Sequence, residues 1–244
     1  TLNLSPMSDT DLAAGRVRDG DRRSLARLIT ALETGDPIGE AVVTSLIDSS
    51  DAPARRVGIT GPPGAGKSTL VNAIVADLRS KGDTVAVLAV DPSSPITGGA
   101  LLGDRIRMQD HTGDPGVYVR SMASRGHLGG LSIAAAPAIA AMARAGFDMV
   151  LVETVGVGQS ELEVMDHVDV VVLVLAPGWG DQIQADKAGI VEIADVFVVN
   201  KGDRPGVDTV HRALLERLGG SDAPVLITTA ISGEGVPELV DVIR

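Results

Sequence analysis

Residues Gly61-Pro62-Pro63-Gly64-Ala65-Gly66-Lys67-Ser68-Thr69 fit G-x-x-x-x-G-K-[ST] and directly follow the apolar run Val57-Gly58-Ile59-Thr60. No other stretch constrains the fold as strongly, because this loop works only between a buried strand and a helix. The glycines let backbone N–H groups approach phosphate oxygens with no Cβ in the way. The helix that starts near Gly66 points its positive dipole end at the anion. Lys67 can reach the terminal phosphates, and the Ser68 hydroxyl can bind magnesium. The ligand class is therefore a nucleoside polyphosphate.

The remaining pattern supports such a fold. Val57–Thr60, Thr84–Val90, Val117–Arg120, Met149–Val155, Val168–Ala176, Val196–Asn200 and Val225–Thr229 read as strands rich in Val and Ile. Between them lie helical stretches: the one after the loop, from Leu70 to Arg79, then Leu131–Arg144, Ile183–Ile193, Val207–Leu218 and Val236–Ile243. Strand-helix alternation with near-continuous apolar strands predicts an α/β, three-layer P-loop NTPase with a mostly parallel sheet and helices on both faces. Before the first strand, Asp9–Ala31 reads as one or two amphipathic helices and Ile38–Ile47 as another. The expected organisation is an N-terminal helical extension over residues 1–52 and a nucleotide domain over residues 53–244.

Composition excludes several partners. A formal net charge of −11 argues against nucleic acid and against an anionic membrane surface. The chain has no cysteine, so no disulfide framework or thiolate metal site exists. The longest apolar run, Val168–Ala176, is too short to span a bilayer. No basic-then-apolar leader is visible, and a cytoplasmic location is expected. Thr1 is not an initiator methionine, so a removed targeting segment stays open.

Ligands of parallel sheets bind at the carboxyl ends of the strands. Asn200-Lys201-Gly202-Asp203 at such an end fits N-K-x-D. The Asp203 carboxylate can accept two hydrogen bonds from guanine, which adenine does not offer, and the stem of Lys201 can lie over the base. Glu153, ending another strand before Thr154-Val155-Gly156-Val157-Gly158-Gln159, is placed to hold magnesium, with a loop able to respond to the γ-phosphate. Asp91 and Asp104 are candidates to face the metal or to orient the attacking water. Gly178-Trp179-Gly180-Asp181, with Lys187 nearby, is a third candidate mobile element. His111, His127, His167 and His211 lack metal-ligand spacing and read as surface or loop residues.

The order of these motifs resembles one family. G-P-P-G-A-G-K-S-T, D-P-S-S-P, T-G-G-x-L-L-G-D-R, E-T-V-G-V-G-Q-S-E, D-Q-I-Q-A-x-K-A-G-I and N-K-x-D together look like the methylmalonyl-CoA mutase-associated GTPases of MeaB/ArgK type, from about Gly20 to Arg244. The resemblance implies hydrolysis of GTP to GDP with Mg²⁺. It also implies a G-protein chaperone of an adenosylcobalamin-dependent acyl-CoA mutase, gating cofactor loading and protecting that enzyme. By match, Lys67 neutralises phosphate charge and Ser68 binds magnesium. Asp91, Asp104 and Glu153 surround the metal and the attacking water. Lys187 belongs to the loop that responds to the mutase, and Asp203 reads guanine. The base-side loop reads Thr229-Ala230-Ile231 where the family often has Ser-Ala, with the Ala230 backbone expected at the guanine oxygen. Relatives carry a helical C-terminal dimerisation arm, and this chain stops at Arg244, so a homodimer stays open. Two other readings remain: a nickel-delivery metallochaperone GTPase, disfavoured by the lack of Cys and clustered His, and an ATP-using kinase of amino-acid transport, disfavoured by N-K-x-D.

Overall fold

The computed structural model describes residues 8–48, 53–92, 111, 113–124, 130–154, 163–179 and 190–244. Three helices come first: α1 (Asp9–Arg18), α2 (Arg22–Thr34) and α3 (Pro37–Ile47). The stretch expected as one or two helices is thus two. The break falls at Asp21, whose carboxylate caps α2 by accepting from the N–H groups of Arg23 and Ser24. Gly35 ends α2 in the left-handed region, and Asp36-Pro37 starts α3.

The rest alternates: β1 (Arg55–Thr60), α4 (Lys67–Ser80), β2 (Val85–Pro92), β3 (Val117–Ser124), α5 (Gly130–Ala143), β4 (Met149–Thr154), β5 (Val170–Leu175), α6 (Ile190–Ile193), β6 (Val196–Asn200), α7 (Val207–Leu218), β7 (Val225–Thr228) and α8 (Val236–Ile243). The sheet order is β3-β2-β4-β1-β5-β6-β7, and every strand pairing is parallel. β3 runs four residues further than its apolar pattern suggests, because each residue to Ser124 pairs with β2 up to Pro92. Of the helix expected over residues 183–193, the described part is α6; the remainder lies outside the described residues.

Strand side chains alternate between the two faces. Along β4, Met149 and Leu151 enter a core with α4 and α8, while Val150 and Val152 enter the opposite core with α5 and the N-terminal helices. α7 covers Leu173, Leu175, Phe197 and Val199 of β5 and β6. The N-terminal helices are tied to edge strand β3 by polar contacts as well. Arg22 donates to the carbonyls of Pro115 and of Val117 (2.6 Å), and Arg120 pairs with Glu33 at 2.6 Å. No helix among the described residues is long and apolar enough to cross a membrane.

The amino edge of the sheet is closed by carboxylates that precede the strands. Asp169 accepts from the backbone N–H and the guanidinium of Arg56. Asp195 accepts from Val171 N–H at 2.8 Å. Asp148 accepts from the Thr84 N–H and then its hydroxyl, both at 2.7 Å, and these bonds hold its carboxyl below the usual range. The Arg79 guanidinium, followed by the Gly116 N–H, does the same for Asp114.

Candidate functional site

The phosphate loop leaves β1 beside β5, its neighbour in the sheet. Gly61 has φ +142°, and a Cβ there would drive into the Val174 carbonyl of β5. Only glycine lets the loop pass that close to the neighbouring strand. Gly66 caps α4 at φ +93° and offers no side-chain cap. The first N–H groups of α4 are therefore not capped by an N-cap side chain, which is the arrangement that receives an anion. Pro63, Gly64 and Thr69 are exposed, whereas Gly61, Pro62 and Ala65 are buried. The Lys67 side chain is buried; its Nζ donates to the carbonyls of Gly61 (2.6 Å) and Pro62 (3.0 Å). The ammonium thus lies folded against the loop that a polyphosphate would enter.

Glu153 shares the parity of Met149 and Leu151 on β4, so it projects to the α4 face of the sheet. There it accepts from the Ser68 hydroxyl at 2.5 Å. Glu153 is buried at the strand exit. A hydroxyl and a carboxylate are hard oxygen donors of the kind Mg²⁺ takes, so these two residues fit that ion. Asp91 lies within β2, and its side chain is outside what the structure describes; Asp104 and Lys187 lie outside the described residues altogether.

The base-side residues reach the same loop from the far half of the sheet. Asn200, at the end of β6, is 2% exposed. Its Nδ2 donates to Ala65 O (3.0 Å) and Gly66 O (3.4 Å), and its Oδ1 accepts from Thr228 Oγ1 (3.1 Å) and Ala230 N–H (3.2 Å). The carboxamide is satisfied on both sides and fastens the phosphate loop to the β7–α8 loop. Lys201 follows in the left-handed region, at φ 62°, uncommon for a residue with a Cβ. That turn sends Lys201 Nζ to Gly64 O at 2.7 Å and the next N–H, of Gly202, to Thr228 O at 2.9 Å. Three consecutive phosphate-loop carbonyls are therefore held by two consecutive residues of β6 and its exit.

Asp203 is exposed, and its carboxylate makes no hydrogen bond or ion pair with any described residue. The Ala230 N–H, expected at a guanine oxygen, is directed at Asn200. Thr229 pairs with Glu234 through an isolated antiparallel bridge, and Ile231 projects outward, 85% exposed. Trp179 sits just past the β5 exit, half-buried against the α4-side core. Thr228 joins the site without belonging to any of its motifs; the one sequence signal for it is a hydroxyl at the end of an apolar strand. Among the described residues no group of His, Cys, Asp and Glu is arranged to hold a metal on its own.

Residues 25–244 match the model of the family described as methylmalonyl Co-A mutase-associated GTPase MeaB. The chain belongs to the MeaB family. It is thereby a GTPase of the P-loop class. A relative in Pyrococcus horikoshii, named as a GTPase, is 47% identical over 98% of this chain and 78% of its own length. GTPase ArgK of Escherichia coli is 45% identical over 77% of this chain and 58% of its own. A solved structure described as a LAO/AO transport system kinase superposes with TM-score 0.75 at 29% identity, over 98% of this chain and 76% of that one. The nickel-bound HypB of Helicobacter pylori shares the fold alone, at 14% identity and TM-score 0.55, over 97% of this chain and 94% of that one.

Proposed function

We propose that this MeaB-type chain binds GTP across the phosphate loop and the N-K-x-D segment and hydrolyses it to GDP and phosphate. We further propose that it works as a G-protein chaperone of an adenosylcobalamin-dependent acyl-CoA mutase, gating cofactor loading and protecting that enzyme in the cytoplasm. The observation that carries the nucleotide reading is the double hold of Asn200 and Lys201 on Gly64, Ala65 and Gly66. Through it Asp203, which this reading sets beside the base, is linked to Gly64, Ala65 and Gly66, which it sets beside the phosphates.

In this reading the main chain of residues 61–69 wraps the phosphates, and Lys67 leaves the Gly61 and Pro62 carbonyls to neutralise terminal charge. Ser68 and Glu153 would hold Mg²⁺, which would supply neutralisation of phosphate charge there. Asp91 and Asp104 share the metal side or orient water, and Lys187 with its loop answers the partner. Asp203 reads the guanine edge, with the Thr229-Ala230-Ile231 loop flanking the base. Phosphoryl transfer of this kind rests on positioning and charge neutralisation, with no covalent step on the protein.

The kinase reading has one observation in its favour, the likeness to a solved protein described as a transport system kinase, and nucleotide competition separates the two. Calorimetry with GTP, GDP and ATP on magnesium-supplemented protein should show uptake of the guanine nucleotides alone, and GTP turnover should rise when a cobalamin-dependent mutase is added. ATP binding as tight as GTP would remove base recognition from this site. Turnover indifferent to every candidate mutase of the source organism would leave a GTPase without the chaperone role.

A further inference from the structure

α1, α2 and α3 enclose a cleft of about 380 Å³ on the side of the N-terminal helices, lined, among the described residues, by these three helices. Its floor is apolar, with Val17 and Leu28 buried at its base. Its rim carries apolar side chains among charged ones: Leu12 is 49% and Ile38 64% exposed. Two guanidinium groups line the same cleft, Arg16 on α1 and Arg27 on α2, both exposed. Neither side chain makes a hydrogen bond or an ion pair with any described residue. Arg16 acts electrostatically on Asp21, whose carboxylate is already taken by the Ser24 hydroxyl and the first N–H groups of α2.

Two guanidinium groups with no ion pair among the described residues, beside an apolar cleft, stand out on a chain whose net charge is −11. The chain as a whole repels acidic partners, whereas the lining of this cleft, with Arg16 and Arg27 against Asp9, is locally positive. The volume lies within the range of specific binding clefts, about 300–1,000 Å³. A small ligand would need its surroundings to close over it, and rim residues as open as Leu12 and Ile38 do not supply that. A helix laid into a groove between helices covers floor and rim together.

We propose that this cleft docks an amphipathic helix of a partner protein, with apolar anchors at i, i+3 or i+4 and i+7 and acidic residues on both flanks. The apolar anchors cover Leu12, Ile38 and the floor, and the acids meet Arg16 and Arg27. Asp9 lines the cleft seven residues before Arg16 on α1, about 10 Å along the helix, so the acids gather toward the Arg16 end. The docking does not depend on the nucleotide reading.

The test is a photo-crosslinking amino acid at Leu12 of the full chain, expressed in its source organism, with the crosslinked peptide sequenced. The expected product is one partner segment with the stated apolar spacing and acidic flanks. Its yield should fall about tenfold or more in the doubly charge-reversed Arg16→Glu/Arg27→Glu chain. Reversing the partner's acids to lysine should restore it. Circular dichroism and unchanged basal GTP turnover confirm that the variant chain is folded. Crosslinks to a second copy of this chain, to a segment without acids, or of undiminished yield in the variant overturn the proposal, as does the absence of any protein crosslink.

Discussion

The amino and carboxyl edges of the sheet both carry acidic residues, and they use them in opposite ways. At the amino edge, Asp83, Asp114, Asp148, Asp169 and Asp195 each accept from a neighbour: Arg244, Arg79, Thr84, Arg56 and the Val171 N–H. Asp148, Asp169 and Asp195 tie the start of one strand to a neighbouring strand, while Asp83 and Asp114 hold Arg244 beyond α8 and Arg79 of α4. At the carboxyl edge, Glu153 is buried on the hydroxyl of the phosphate loop and Asp203 stands in solvent with no described partner. The described acids at strand entries brace the fold, whereas Glu153 and Asp203 at strand exits are the ones proposed for chemistry, although composition makes them the same kind of residue. Direction along a parallel strand is the physical difference, since helix N-termini and loops that can hold an anion gather at the exits.

Four substitutions separate the two edges. The largest effect is expected from Lys67→Ala, which should lower GTP turnover about a thousandfold or more. Phosphate release measured at saturating GTP checks this, and near-normal turnover would show that the phosphate grip is misassigned. Asn200→Asp comes next. It sets a carboxylate against the Ala65 and Gly66 carbonyls, where the wild-type side chain donates. Denaturant unfolding should show a loss of about 2–4 kcal/mol, because a buried charge then faces only acceptors on that side. A variant as stable as wild type would mean that this amide does not couple the two loops.

Asp203→Asn should behave differently, since the side chain is exposed. Stability should stay within about 0.5 kcal/mol, while GTP affinity falls about a hundredfold and a xanthine nucleotide gains. Titration of both nucleotides against wild type and variant decides it, and parallel losses for both bases would point to a structural role. The smallest effect belongs to Asp148→Ala at the opposite edge. It should cost about 2–4 °C in Tm at neutral pH and leave nucleotide affinity unchanged. Because Thr84 holds the folded carboxyl below its unfolded value, its contribution is complete above the ordinary carboxylate range. It is lost as pH falls through the lowered folded value. The Tm gap between variant and wild type should therefore close in acid; a gap that persists would place the stabilisation elsewhere than in the ionised carboxylate.

Legibility varies by element. β6, α7 and α8 have the boundaries that their Val/Ile runs and helical spacing suggest. β3 exceeds its apolar run because its last four residues, Ser121-Met122-Ala123-Ser124, are held by pairing with β2, which sequence alone does not display. Within the site, residues 61–69 and N-K-x-D are visible because each obeys a local spacing. The engagement of the Ala230 N–H by Asn200, and the part Thr228 plays in holding that amide, follow no such spacing.

From its residues alone this chain specifies a parallel α/β sheet, a phosphate loop and a guanine-type motif, because each is set by local backbone geometry and by side-chain period. Only the tertiary structure brings Asn200 onto Ala65, 135 residues away, Ser68 onto Glu153, 85 away, and Arg16 and Arg27 to one uncovered cleft. Those meetings depend on strand order and on how three helices pack, which arise from burying apolar faces over the whole molecule and leave no mark at fixed spacing in the chain.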